Sequence, residues 1–147
     1  MEELLELRKH IEQGHYAEAL NLIGEMEEMS RDDKINKIGS YIEVLLIHLI
    51  KKHTELRSTR SWEISMKNAI EDMVDVNKRR KAGGYYLNNE DLMEILDERF
   101  QRALRRTSLE AFEGQYDDVE LAQKIDEEQI KKEALKLILE EQTPKQT

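Results

Sequence analysis

Apolar residues recur every three to four positions along most of the chain, which is the spacing of one face of an α-helix. The clearest run has apolar residues at Ile35, Ile38, Ile42, Leu45, Leu46 and Leu49. The end of this run, "VLLIHLI", is apolar on every side, as is typical of a helix that other helices surround. The pattern therefore predicts a central helix over about residues 31–53.

Further helices are predicted on both sides of the central one. Two precede it, at 2–13 and 16–29, and three follow it, the last over about 117–141. The predicted helix starts are Ser30 with Asp33 for the central helix, then Ser58, Thr59 or Ser61, and then Asn88 or Asn89. The polar middle of the last helix, "KIDEEQIKKE", indicates that this helix bends there or protrudes.

The fold class that follows is all-α, a bundle of five to six helices. Apolar and polar residues nowhere alternate at the period of two that strands show, and the one proline, Pro144, lies in the polar C-terminal tail. We predict a single domain over 1–142 and a disordered tail over 143–147. The C-terminal helix, about 117–141, is predicted either to protrude or to pair with a second copy.

One stretch, "QGHYAEALNLIGEM" at 13–26, resembles half of a tetratricopeptide repeat. Gly114 and Tyr116 give a second match, but little matches between the two at the roughly 34-residue period that such an array requires. We therefore interpret the stretch as one helical hairpin, in which Gly14 ends the first helix and Tyr16 packs in the second.

Charge and composition narrow the function classes. The net charge of −9 argues against general nucleic-acid affinity, although residues 48–81 carry nine Lys/Arg and five acids, a local charge of +4 that leaves −13 elsewhere. The absence of cysteine excludes disulfides and thiolate metal sites, and we predict neither a metal nor another cofactor. The N-terminus does not read as a signal peptide, and the longest strongly apolar run, Val44 to Ile50, is too short to span a membrane. A cytoplasmic protein is therefore expected.

The candidate site is the basic junction after the central helix, formed by His48, Lys51, Lys52, Arg57, Arg60, Ser61 and Trp62. Its cations either form an anion pocket or pair with nearby carboxylates. His48 is either a base or anion donor, or a satisfied polar residue at the edge of the core, or a hydrogen-bond partner for Ser61 or Trp62. Trp62 is either a stacking or interface residue or part of the core.

The stretch "HLIKKHTELRSTRSWEISMKNAI" at 48–70 resembles a family of small, mainly cyanobacterial proteins known as domain of unknown function 29. The matching residues are His48, Leu49 and Lys51, then Arg60, Ser61 and Trp62. The resemblance covers most of residues 5–110. Lys52 stands where the family usually has an aromatic residue, and the linker lacks the family's frequent proline. The resemblance implies a compact all-helical fold and no established activity.

No catalytic constellation stands out, which favours a binding protein over an enzyme. We predict a small regulatory or adaptor module that binds another protein, or a second copy of itself, through the basic junction or the C-terminal helix. The alternative is a nucleic-acid-directed protein that uses the junction at 48–62, as a ribonuclease-like enzyme or as the antitoxin partner of one. A third hypothesis is small-anion binding at the same junction.

Overall fold

The computed structural model describes residues 2–79 and 83–143, and the elements in this part of the chain are helical. They are α1 (Glu2–Glu12), α2 (Tyr16–Glu55), α3 (Arg60–Asn77), α4 (Asn89–Glu110), a 3-10 turn (Phe112–Gly114), α5 (Asp118–Lys124) and α6 (Glu127–Gln142). The predicted all-α class is confirmed. Apart from Thr143, the predicted disordered tail lies outside the described residues, as do Arg80 and Lys81 of the basic run.

Backbone contacts divide the chain into two compact units, residues 1–36 and residues 37–147. The first unit holds α1 and the beginning of α2, and the second holds the rest of α2 and the other helices. Each unit is described by itself below. The predicted single domain over 1–142 stays a prediction.

The first unit contains the helical hairpin that the sequence predicts. Gly14 has φ of +76°, a left-handed conformation in which glycine has no Cβ to clash, and α1 ends just before it. The His15 amide donates to the His10 carbonyl at 2.8 Å. A backbone hydrogen bond that spans five residues is typical of a helix C-terminus that ends in a left-handed residue. The prediction that Gly14 ends the first helix is confirmed. The prediction that Tyr16 packs in the second helix is wrong, because its side chain is 65% exposed.

The predicted helix start at Ser30 is wrong, because α2 is one helix of 40 residues. Ser30 and Asp33 cap a helix only when the backbone before them is extended, and here both lie within α2. No proline stands between residues 16 and 55, and Gly24 and Gly39 keep helical backbone angles. The polar segment therefore continues the helix instead of breaking it.

The core of the second unit is built around the apolar end of α2. Seven side chains of this stretch are buried: Ile38, Ile42, Leu45, Leu46, Ile47, Leu49 and Ile50. Helix α6 packs against both α3 and α4, and α4 also packs against α5. Every residue of "VLLIHLI" at 44–50 is buried or half-buried, as the prediction of a surrounded helix requires.

One carboxylate lies within this core. Glu43 of α2 is 2% exposed, and its side chain meets three arginines that follow one another along α4. Arg106 Nη1 lies 2.5 Å from Glu43 Oε2, Arg102 Nε lies 3.1 Å from Oε1, and Arg99 Nη1 lies 3.5 Å from Oε1. Gly39 makes room for this group, because a Cβ there would come within 2.7 Å of the Arg99 guanidinium.

A buried lysine is surrounded by three carboxylates, just as Glu43 is surrounded by three arginines. Lys131 of α6 is 5% exposed, and its Nζ lies 2.8 Å from Asp97 Oδ1 of α4 and 3.0 Å from both Glu127 and Glu128. Burial disfavours the charge, but the hydrogen bonds to these three carboxylates outweigh it and raise the pKa of Lys131. The ammonium stays charged and ties α6 to α4.

The C-terminal part of the chain is two helices, since Ile125 is extended and Asp126 caps α6 by accepting from the Gln129 amide. The break falls in the polar stretch where the sequence predicts a bend. Ile130, Ala134 and Ile138 of α6 are buried, so the apolar face of this helix is occupied within its own unit. Pairing with a second copy stays a prediction, but it would need a different surface.

Asn77, the last residue of α3, links three parts of the second unit. Its side chain is fully buried and exchanges hydrogen bonds with the backbone of Leu87, donating at 3.2 Å and accepting at 2.8 Å. It also donates to the Gln142 side chain at 3.2 Å, and the Tyr85 hydroxyl donates to the Gln142 carbonyl. One amide thus joins the end of α3, the following loop and the end of α6.

We expect Glu43→Ala to lower the free energy of unfolding by about 3 kcal/mol, because it leaves three arginines without their shared counter-charge and opens a cavity. Urea denaturation followed by circular dichroism measures this loss. Glu94→Ala, at an exposed position of α4, is the control and should stay within about 0.5 kcal/mol of the parent chain. Equal stability of the two variants would show that the Glu43 cluster contributes nothing.

Candidate functional site

The basic junction is a short turn that links α2 to α3. Leu56 follows the last residue of α2 with φ of 55°, a left-handed conformation that is unusual for a leucine, and its side chain is 90% exposed. Thr59 then caps α3, where its hydroxyl accepts from the Trp62 amide at 3.1 Å. Thr59 was one of the three predicted starts, and the structure selects it over Ser58 and Ser61.

Trp62 lies beneath two cations of the junction. Arg57 Cζ is 5.2 Å and Lys51 Nζ is 5.9 Å from the centre of its ring, distances at which a cation is attracted to the ring face. The indole is half-buried. The tryptophan is therefore neither a fully buried core residue nor a free stacking surface.

Two of the predicted site cations also have carboxylate partners. Lys52 Nζ lies 3.3 Å from Glu63 Oε1, and Arg57 Nε lies 2.6 Å from Glu55 Oε2. Arg60 and Ser61, the first two residues of α3, are exposed. The structure thus gathers most of the predicted residues around one turn, but it pairs part of their charge internally. The anion pocket stays a prediction.

His48 points partly into the core of the second unit. Its side chain is half-buried, and its Nδ1 is buried without a hydrogen-bond partner among the described residues. Burial, followed by the nearby Lys51 ammonium, lowers the pKa of His48. No bond from Nδ1 to Ser61 or Trp62 is formed, so that part of the prediction is wrong for this ring nitrogen. The neutral imidazole is the favoured form.

Sequence reasoning missed the ionisable side chains whose partners are far away in the chain. His53 Nε2 lies 2.6 Å from Glu133 Oε2 of α6, eighty residues away, and the sequence offers no spacing that would reveal this pair. Glu43 could have been suspected, because it is a charge inside the most apolar stretch of the chain. Its arginine partners could not have been inferred from that pattern.

The first unit presents a different kind of surface. Five large apolar side chains of the hairpin are between 48% and 69% exposed: Leu4, Leu5, Ile11, Tyr16 and Leu20. We call this set the hairpin face. Among the first-unit residues whose side chains the structure describes, Ala19 alone is buried. The helices of this unit thus leave much of their apolar surface in water.

Acidic residues dominate the same unit. Residues 1–36 contain ten Asp/Glu and four Lys/Arg, for a net charge of −6. Leu4 and Leu5 stand next to Glu2, Glu3 and Glu6 in α1. The hairpin face is therefore a set of exposed apolar side chains within a strongly negative unit.

Within the described residues, no helix is long and apolar enough to cross a membrane. Across residues 2–79 and 83–143 there is also no group of three or more His, Asp or Glu side chains arranged to hold a metal ion.

The lowered pKa of His48 predicts acid sensitivity. As pH falls below about 6.5, the ordinary histidine pKa, the unfolded chain takes up the proton before the folded one. The contribution of His48 to the stability of the fold is therefore fully present above this pH, and it is lost as the pH falls through the lower pKa of the folded state. The parent chain loses stability between neutral and mildly acidic pH, and we expect this loss to be smaller by roughly 0.5 kcal/mol in His48→Gln. The expected difference is modest because solvent screens the half-buried ring.

Urea denaturation over this pH range measures the difference. His15→Gln, at an exposed position in the α1–α2 turn, is the control for replacing a histidine as such. If His48→Gln keeps the full pH dependence of the parent chain, the burial of His48 does not disfavour its charge.

Comparison with known proteins gives one match. The family model described as "Domain of unknown function DUF29" matches residues 6–133, which is most of the chain and extends beyond the stretch 5–110 that the sequence resemblance covers. No curated protein and no solved structure matches. The family match reaches all six described helices, but it leaves out the first four residues of α1 and the part of α6 after Glu133. The chain belongs to the DUF29 family, a family of unknown function.

Proposed function

We propose that the chain is a helical module that binds another protein, and that its docking surface is the hairpin face. The observation that carries this proposal is the exposure of Leu4, Leu5, Ile11, Tyr16 and Leu20 in a unit of only 36 residues. Exposed apolar groups of this density mark interaction surfaces, because leaving them in water costs free energy that a partner recovers on binding.

The charge of the first unit indicates the kind of partner. A net charge of −6 favours a positively charged surface and disfavours a second copy of the same unit, which would bring two like charges together. An amphipathic helix with an apolar stripe and basic flanks satisfies both the apolar side chains and the acids. The partner we propose is such a basic amphipathic segment of another protein.

The basic junction supports nucleic-acid binding less well. Phosphate binding depends on unpaired positive charge, and Lys52 and Arg57 already have carboxylate partners. Arg57 and Lys51 also lie over the Trp62 ring. The junction remains a candidate for a second contact with the protein partner, because Trp and Arg are frequent among the residues that dominate interface energies.

The test compares two variants in affinity capture from cells of the source organism, followed by mass spectrometry. Leu5→Ser with Leu20→Ser removes two exposed side chains of the hairpin face. We expect the captured partner to fall by about tenfold or more, because each lost anchor contributes on the order of 1 kcal/mol. Leu109→Ser, at a leucine of α4 that is 75% exposed, should leave capture unchanged.

The captured partner is then purified and titrated against the chain by calorimetry. Affinity should fall as salt is raised, since salt screens the acids of the first unit from the basic segment. Capture that survives the double substitution, or a partner that lacks a basic amphipathic segment, would overturn the proposal. If Leu109→Ser reduces capture of the partner as much as the double substitution does, exposed leucines bind the partner non-specifically.

A further inference from the structure

The second unit contains a cleft that is separate from the hairpin face and to which the family match assigns no role. Its volume is about 380 Å³, and it lies between α3 and α6 with α2 beneath, so we call it the α3–α6 cleft. Four apolar side chains line it: Leu49, Met66, Ile70 and Leu137. The first three are buried and Leu137 is half-buried, so the lining is set by the packing of the core. Clefts of this size and apolar lining are typical of small-molecule sites.

The rim of the α3–α6 cleft is charged, and two of its carboxylates have partners on α2. Glu63 pairs with Lys52 at 3.3 Å, and Glu133 pairs with His53 at 2.6 Å. Both contacts hold their carboxylates in place, and the Lys52 ammonium offsets the charge of Glu63.

The remaining rim residues carry an excess of negative charge. Glu140, Glu141 and Lys67 line the cleft, and the structure shows no ion pair for any of the three within the described part of the chain. Two carboxylates against one ammonium leave this part of the rim negative. An apolar lining with a negative rim is complementary to a molecule with an apolar body and one positive end.

We propose that the α3–α6 cleft binds a small amphipathic amine, a free organic ammonium with an aliphatic chain. The chain would lie on Leu49, Met66 and Ile70, and the ammonium would lie between the carboxylates of Glu140 and Glu141. The cleft belongs wholly to the second unit, so this inference is independent of protein binding at the hairpin face.

The experiment titrates the full chain with hexylammonium and follows backbone amide signals by two-dimensional NMR. We expect shifts at the residues that line the cleft and a dissociation constant of millimolar order, about −4 kcal/mol, as suits so small a ligand. Butylammonium should bind roughly fifteenfold more weakly, because it lacks two methylenes and each buried methylene raises affinity by roughly fourfold.

Two isosteres test the charge requirement. Hexanol has the same aliphatic chain without the charge, and hexanoate has the opposite charge. Both should bind at least about fivefold more weakly than hexylammonium, because only the ammonium gains from the carboxylates on the rim. Equal binding of hexanol would show that the cleft takes any apolar molecule, and tighter binding of hexanoate would show that Lys67 and Lys52 control the rim. Either result overturns the proposal.

Matched variants locate the site. Glu140→Gln with Glu141→Gln should weaken hexylammonium about tenfold and leave hexanol unchanged, since the apolar lining is intact. Glu94→Gln with Glu98→Gln, at exposed positions of α4, removes the same charge elsewhere and should leave both affinities unchanged. An equal loss in both double variants would assign the effect to net charge alone, and no binding by the parent chain would refute the site directly.

Discussion

The fold of the second unit depends on covering the apolar end of α2 from all sides. Between Ile38 and Ile50 seven large aliphatic side chains are removed from water, and burying each one stabilises the fold by roughly 1.5–3 kcal/mol. A helix with apolar groups on one stripe needs only one neighbour, but this stretch has them on every side. The later helices therefore have to pack around it, and α6 packs on both α3 and α4.

Charges inside this core fix the way in which the helices pair. Glu43 draws three arginines of α4 to α2, and Lys131 draws Asp97 of α4 to α6. A buried ion pair adds little net stability compared with a well-packed apolar pair, but removing one partner is costly. The two clusters therefore act mainly on the register of α4, since sliding this helix by one turn would separate both charges from their partners.

The two units differ in how far they bury their apolar groups, and this difference underlies both proposals. In the second unit four apolar side chains line a cleft whose rim is charged. In the first unit five large apolar side chains are exposed among acidic residues. A cleft suits a small molecule, and exposed apolar side chains suit a protein segment.

The sequence by itself determined the helical class, the apolar segment within α2, the glycine that ends α1 and the candidate helix starts before α3 and α4. These features depend on local spacing and on capping by neighbouring residues, so a single sequence reveals them. It also identified the turn where Lys51, Arg57 and Trp62 meet, because these residues are close in the chain. The continuity of α2 through Ser30 was missed, since a capping residue and an ordinary helical serine look alike until the backbone angles are known.

Only the tertiary structure decided which ionisable side chains meet across the core. Glu43 finds its arginines 56 to 63 residues away, and His53 finds Glu133 eighty residues away. Such pairs follow from how helices align across the core, and that alignment depends on all of their side chains together. For the same reason the sequence shows neither the α3–α6 cleft nor the exposure of the hairpin face. The amphipathic pattern of a helix indicates that it has an apolar face, but only its neighbours determine whether that face is covered.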